Sequence, residues 1–375
     1  MSQLEYFLSA MWLRAAYLVS SLLPIQADKV VFASARAEKL EGNLRHIHDQ
    51  VRRTRPDLRP VLLLERYSYT LSGKIAYFLK MMRASYHLAT ARYFILDNAY
   101  LPIHVGPHRP GTTVIQVWHA GGALKAFGVD VQPPNREVEN RFIHKYYDYV
   151  IVGSDAAIEP YSSALRTPPE RVLPLGVART DFFFDADKME DARQRILEAH
   201  PELVGRKVVL YAPTFRGHGL EKRPGQRLDA RRVRQGLGQE YALVHKAHPV
   251  FDVRLIDGSG YDAIIGGEFD INELFTVVDV FITDYSSSIF EYALLRKPLV
   301  LLVDDLAAYS EDPGIYLDYE SEMIGEFALN EADVARIIAD DDFDLSGYDA
   351  FIERHCTHDD GHASERFVEF LSRAH

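Results

Sequence analysis

Short apolar runs separated by amphipathic stretches recur in two successive series, and this alternation constrains the fold more than any other feature of the chain. The first series occupies residues 29–33, 60–65, 93–97, 113–118, 149–153 and 172–175. The second occupies 207–211, 241–246, 261–265, 280–283 and 299–303. Stretches with helical periodicity, such as 36–53 and 74–91, lie between them. Strands that alternate with helices pair in parallel, because each crossover helix carries the chain back to the starting end of the sheet. The expected fold class is therefore α/β, with two Rossmann-like halves. Residues 1–185 form the expected first domain and 186–375, with the C-terminal helices, the second. The acidic segment 181–188 lacks a strand pattern and marks the junction.

A chain of 375 residues, 47% of them hydrophobic, is too long for one ordinary core and fits two. Its single cysteine, Cys356, excludes a disulfide framework and suits a reducing compartment. Residues 4–23 (LEYFLSAMWLRAAYLVSSLL) are apolar nearly all round until Pro24. Two readings fit them: a helix buried against the body, or one lying in a membrane interface with Tyr6, Trp12 and Tyr17 at head-group depth. A spanning helix and a secretory signal are not expected, since Glu5 and Arg14 interrupt the run and no basic segment precedes it.

The formal net charge of −12 is unevenly spread. Residues 1–110 carry 15 Lys/Arg against 8 Asp/Glu, whereas the remainder is strongly acidic. A basic N-terminal region on an acidic protein points to an anionic partner such as a lipid surface or a diphosphate. Nucleic acid is not expected as a partner, because no helix-turn-helix, zinc-finger or RNP pattern accompanies the charge.

In open parallel sheets ligands bind at the carboxyl ends of strands, and phosphates favour helix N-termini. Four strand ends stand out. Val117-Trp118-His119 runs into Ala120-Gly121-Gly122-Ala123 and then Lys125. His119 there is either a proton acceptor or a histidine hydrogen-bonded in a turn; spacing alone does not choose. Tyr211 is followed by Thr214, Phe215 and Arg216, a hydroxyl and a fork of donors suited to phosphate. His245-Lys246-Ala247-His248 concentrates positive potential at a third end. Thr283 leads into Asp284 and then Ser286, Ser287 and Ser288, which open a helix expected over 286–296 as an anion cradle. Glu291, one turn on, could accept hydrogen bonds from hydroxyls of a polyol or ribose.

No metal site is expected. Residues 245 and 248 of an extended segment face opposite sides, and no further ligand completes a set. Asp342-Phe343-Asp344 lies in an acidic loop rather than after a strand, and His355, Cys356, His358 and His362 lie in a C-terminal helical region. Walker A, GxGxxG and GxSxG patterns are all missing.

The four strand ends, in this order, resemble the CDP-glycerol glycerophosphotransferase family of teichoic acid primases and polymerases. The likeness covers roughly residues 90–370 and runs through VWHAGGALKAFG, YDYVIVGS, LPLGVARTDFFF, YAPTFR, KAHP, DINELFTVVDVFITDYSSSIFEYALLRKPLVL and DDGHASER. It implies a GT-B-like enzyme, two Rossmann-like domains facing a cleft. Its reaction would move glycerol phosphate from CDP-glycerol to a hydroxyl of an undecaprenyl-diphosphate-linked saccharide, with loss of CMP and no metal or cofactor.

Residue by residue, the resemblance makes His119 the general base and places His248 on the donor diphosphate or the leaving CMP. Ala120, Gly121, Gly122, Ala123 and Lys125 would border the substrate. Arg179, Thr214, Phe215 and Arg216 would contact CDP-glycerol. Lys246, Asp284, Ser286, Ser287 and Ser288 would surround its phosphates, and Glu291 would take an acidic position where Asp is usual. The DGxAS element, Asp360 to Ser364, accounts for His362 without a metal. WHAGGALKAFG in place of WHGTPLKKIG looks more like the primase branch. A CDP-ribitol donor, a polymerising member, a nucleotide-sugar glycosyltransferase and a non-catalytic scaffold are the competing readings. The implied location is peripheral, on the cytoplasmic face of an anionic membrane.

Overall fold

The computed structural model describes residues 3–65, 71–131, 141–214, 216, 228–247 and 256–373. The chain divides into two units: residues 1–181 together with 355–375, and residues 182–354.

The first unit is built on six strands: β1 (Gln26–Ser34), β2 (Arg59–Leu64), β3 (Ala91–Leu96), β4 (Thr113–Gln116), β5 (Tyr149–Val152) and β6 (Val172–Pro174). They lie in the order β2-β1-β3-β4-β5-β6, with every pairing parallel. Successive side chains of a strand point to opposite faces, and both faces here are covered. Val31, Ala33, Phe94, Leu96 and Val114 pack with Leu13 and Tyr17 of helix α1 (Gln3–Ser20) and Met81 and Leu88 of helix α3 (Leu71–Thr90). Val30, Phe32, Ile95, Ile115 and Ile151 pack on the other face with Ile47 and Val51 of helix α2 (Gly42–Thr54). Each enclosed Val, Ile, Leu or Phe contributes about 1.5–3 kcal/mol relative to exposure, which is why apolar runs this short suffice as strands.

The second unit repeats the plan with β7 (Lys207–Tyr211), β8 (Tyr241–Lys246), β9 (Ala263–Ile265), β10 (Val280–Thr283), β11 (Leu299–Leu302) and β12 (Glu326–Ala328). The order is β12-β11-β10-β7-β8-β9, again all parallel. All eleven apolar runs of the sequence thus become strands. The twelfth, at the sheet edge, is Glu-Phe-Ala and forms no apolar run.

The expected assignment of the last helix to the second domain is corrected by the structure. Residues 355–375 return to the first unit. Phe367, Val368 and Leu371 of the helix Ala363–Arg373 join the core beside α2, and Tyr93 donates its hydroxyl to Leu371 O at 2.6 Å. Asp359 accepts from Val177 N (2.7 Å), while Asp181 accepts from the first helical amides of Ala363 (2.9 Å) and Ser364 (2.8 Å). Gly176, at φ +95°, permits the approach: a Cβ there would fall 2.2 Å from His358 O. The DGxAS element is therefore a joint within the first unit, and the junction falls at 181/182 rather than 185/186.

His245, on β8, supplies a pH prediction. It lies edge-on between the rings of Tyr211 and Tyr261, and burial lowers its pKa to about 4. Below its ordinary value of 6.5 the unfolded chain takes up a proton that the folded chain refuses. Stability is therefore lost as pH falls from 6.5 toward 4, by about 2 kcal/mol between pH 7 and pH 5 from this group. Denaturant titrations at the two pH values measure it, and His245→Gln is expected to reduce the difference by that amount. An identical pH dependence in the variant would contradict the assignment.

Candidate active site

In each sheet the strand order reverses direction once, and the gap at that reversal is where open α/β sheets bind ligands. In the second sheet it falls between β7 and β10. The segments leaving those strands carry Thr214 and Arg216 on one side and Asp284 to Ser288 on the other, so the sequence-predicted residues converge at the topologically favoured place.

Asp284 sits at the centre. It is buried, and its carboxylate accepts from Thr214 N (2.8 Å), Thr214 Oγ1 (3.0 Å) and an Arg216 terminal nitrogen (3.0 Å). Arg216 also donates from Nε to Asp305 (2.9 Å) and from its other terminal nitrogen to the second oxygen of Asp305 (3.2 Å). Its guanidinium carbon lies 5.2 Å from the ring centre of Tyr285 and 4.8 Å from that of Tyr309, and those two rings are stacked 3.8 Å apart. Tyr285 donates to Asp305 (2.8 Å) and Tyr319 to the carbonyl of Asp284 (2.6 Å). Burial pushes the Asp284 carboxyl up against the pull of Arg216, whereas Arg216 and Tyr285 hold Asp305 down.

The expectation that Arg216 and Thr214 offer open donors to phosphate is thus modified. Their N–H and O–H groups are turned onto two carboxylates, one of which, Asp305, sequence reading missed. Lys246 is likewise committed: it donates to the carbonyls of Gly266 and Phe269, and burial lowers its pKa. Glu291 is completely enclosed and presents no surface to a hydroxyl. The helix expected over 286–296 is the shorter Ser288–Ala293, in which Ser286 Oγ accepts from Ser288 N at 3.2 Å. Ser286 and Ser287 remain half-buried at its start, and Ser287 makes no side-chain cap. Phe215, His248 and the loop at 217–226 lie outside the described residues.

In the first sheet the reversal falls between β1 and β3. The next strand, β4, delivers His119 beside it. His119 Nδ1 is 3.0 Å from the carbonyl oxygen of Asp97, just past β3. A carbonyl only accepts, so the neutral ring carries its proton on Nδ1 and keeps its lone pair on Nε2. Burial lowers the pKa of His119 well below its ordinary value, and Arg36, Arg179 and Lys125 add to the effect through their charge. The ring is therefore neutral in the free protein and competent to accept a proton.

The turn that carries His119 is fixed by two amides. Gln116 accepts from Trp118 N (2.9 Å) and donates to Asn98 O (3.1 Å). Asn43, at the start of α2, donates to Val117 O (3.0 Å) and Trp118 O (3.1 Å) and accepts from Arg179 N (3.1 Å). Together they hold Trp118 at φ +47°, outside the usual range for a large side chain. Ala120 and Gly121 follow, their carbonyls accepting from Tyr161 Oη at 3.2 and 3.3 Å. Gly122 is buried and Ala123 half-buried in the same turn, and Lys125 lies beyond it. Arg179, grouped from sequence with Thr214 and Arg216, belongs to the first unit beside His119.

Residues 15–373 match the model of the CDP-Glycerol:Poly(glycerophosphate) glycerophosphotransferase family. The chain belongs to that family. Among glycerophosphotransferase-family relatives, it is 34% identical to a teichoic acid ribitol-phosphate primase of Bacillus spizizenii, over 95% of this chain and 93% of the relative. It is 26% identical to a teichoic acid glycerol-phosphate primase of Bacillus subtilis, over 98% and 96% respectively. It spans 58% of a poly(ribitol-phosphate) polymerase of Bacillus spizizenii, at 33% identity. The wall teichoic acid polymerase TagF shares the fold, with a TM-score of 0.76, 21% identity and coverage of 99% of this chain and 97% of that one. The family fold is thus α/β and GT-B-like, with two Rossmann-like units.

Proposed function

We propose that this chain transfers a polyol phosphate from a CDP-polyol to a hydroxyl of a prenyl-diphosphate-linked saccharide, releasing CMP and adding a first unit rather than a polymer. The observation that carries the catalytic assignment is the His119 ring, held through Nδ1 with Nε2 left as a base. Nε2 takes the proton of the acceptor hydroxyl as its oxygen bonds to the polyol-bearing phosphorus. The bond from that phosphorus to the bridging oxygen breaks, and CMP leaves with the electron pair. Positive charge from Arg36, Lys125 and Arg179 opposes the imidazolium in the free protein; bound phosphate offsets that charge and lets the ring keep the proton. The reaction as proposed draws on side-chain and backbone donors and uses no metal. The primase reading is supported by 34% identity to a ribitol-phosphate primase and by WHAGGALKAFG, which looks more like the primase branch.

The motifs favour CDP-glycerol as donor, while the higher identity to a ribitol-phosphate enzyme favours CDP-ribitol. Thermal-shift titration with both, and with UDP-sugars, separates them: a donor at a hundred times its Kd stabilises by about 2.7 kcal/mol. Stabilisation by UDP-sugars alone would overturn the polyol reading.

Attachment to the cytoplasmic face of an anionic membrane belongs to the same proposal. Both sequence readings of the first helix contribute: Tyr6, Leu13 and Tyr17 of α1 are buried, while Phe7, Leu8, Met11, Trp12, Leu18 and Val19 are exposed. Helix α3, packed against α1, exposes Ile75 and Leu79 among exposed Lys74, Lys80 and Arg83. Among the described residues no helix is long and apolar enough to cross a membrane. Apolar side chains ringed by cations suit an interface containing anionic lipid. The protein is expected to float with phosphatidylglycerol-containing liposomes and to float less as salt rises. Flotation that does not depend on liposomes would count against attachment.

A further inference from the structure

Neighbouring side chains of an extended strand point to opposite sides, yet the rings of Trp118 and His119, just past β4, lie together. Their centres are 4.4 Å apart and their planes are inclined by 32°. The backbone explains the contact: Trp118 is left-handed at φ +47°, which breaks the alternation. A large side chain occupies that conformation only where its surroundings impose it. Here Asn43 holds the carbonyls of Val117 and Trp118, while Gln116 takes the Trp118 amide. The indole is held in turn by Phe127, whose ring centre is 5.1 Å away, and by His144, T-shaped at 5.7 Å. Neither Trp118 nor His119 is fully buried, so the stacked pair keeps accessible surface.

The stack matters because His119 becomes cationic when Nε2 takes a proton. The side-chain charges felt by the ring, from Arg36, Arg179 and Lys125, have the same sign as the imidazolium. The group on Nδ1 is the carbonyl of Asp97, which orients the ring at 3.0 Å but carries no countercharge. The face of an indole is electron-rich and attracts a cation within about 6 Å of its centre, more strongly than the other aromatic side chains do. The His119 ring lies inside that range.

We infer that Trp118 is a positioning residue for His119: its indole fixes the plane of the imidazole and holds the imidazolium that forms as Nε2 accepts the proton. A bulky aliphatic side chain fills the same space without the electron-rich face, which makes the role open to test. This inference rests on the general-base role of His119 proposed above.

The test follows kcat against pH for Trp118→Leu and Trp118→Phe with a CDP-polyol and the lipid-linked acceptor. The leucine variant is expected to lose about three- to thirtyfold in kcat, the range to which a cation–π contact converts, with the KM for the CDP-polyol within about twofold of wild type. The acidic limb of its profile is expected to move to lower pH, because an imidazolium deprived of the ring face gives up its proton more readily. The phenylalanine variant keeps an aromatic face and is expected to recover most of both. A folded leucine variant with wild-type kcat, or with a reduced kcat and an unmoved limb, would overturn the inference. Tryptophan analogues of increasing fluorine content drain the ring face while keeping its shape, and so serve where a variant fails to fold. The chain has two tryptophans, Trp12 and Trp118. In the wild-type sequence kcat is expected to fall stepwise along the fluorine series, and in Trp118→Phe, which retains Trp12, to stay level. A wild-type kcat that stays level would overturn the role of Trp118 while leaving the transfer reaction standing. Wild-type protein inactive with either CDP-polyol would remove the reaction and this inference together.

Discussion

Replacing His119 with alanine is expected to lower the rate of CMP release from a CDP-polyol and lipid acceptor by about a hundredfold to ten-thousandfold. A positioned base removes the proton while the new bond to phosphorus forms, and water cannot reproduce that alignment. The geometry specifies which nitrogen works. Asp97 O fixes the proton on Nδ1 at 3.0 Å, so only Nε2 can accept. The depressed basicity of the free ring is consistent with this role: a base must be neutral before it can act, and burial, reinforced by the charge of Arg36, Arg179 and Lys125, ensures that it is. His119→Gln fills the same space without a basic nitrogen and is expected to be nearly as impaired. Activity of either variant within tenfold of wild type would remove the general-base role.

The second large effect concerns stability. Arg216→Ala is expected to lower the unfolding free energy by about 3–5 kcal/mol, because it strips the partner from a buried carboxylate. Asp284 would keep its two bonds from Thr214 but lose the guanidinium at 3.0 Å, and Asp305 would lose both of its arginine donors. The stacked pair Tyr285 and Tyr309 would lose the cation beside it. Arg216→Lys is expected to restore little, since a compact ammonium cannot span two carboxylates with the fork of a guanidinium. Denaturant unfolding measures both variants. A loss below about 1 kcal/mol in the alanine variant would show that the cluster is held by the tyrosines and Thr214 rather than by the arginine.

How much of this was legible in the sequence depends on the range of the interactions involved. The other eleven strands were readable because branched apolar residues cluster where both sheet faces are covered, a local property. β12 was not, because Glu326-Phe327-Ala328 opens on a glutamate and forms no apolar run. The C-terminal helix was readable as a helix but not as part of the first unit: its placement depends on Asp181, Val177 and Tyr93, far away along the chain. The same distinction separates the site residues. Asp284, Thr214 and Arg216 were found because they come just after strands, yet their mutual satisfaction was hidden, since Asp305 enters from another strand end 89 residues on. Lys246 looked like a free cation and is one bonded to carbonyls. Gln116 was missed as a single polar residue in an apolar run, Asn43 as one polar residue among several, and Asp97 was missed as well. For Asp97 a signal existed: it ends the run YFILD, a carboxylate at the carboxyl end of a strand, the same position that singled out the residues after β4, β7, β8 and β10.

The central claim, transfer of one polyol phosphate to a saccharide hydroxyl, is tested most directly by the mass of the product. Purified protein is incubated with the lipid-linked disaccharide and either CDP-glycerol or CDP-ribitol, and acceptor and CMP are quantified together. The expected result is an acceptor heavier by a single polyol phosphate with one of the two donors, and one CMP formed for each acceptor converted. An acceptor of unchanged mass with both donors, under conditions in which the protein is folded, would contradict it.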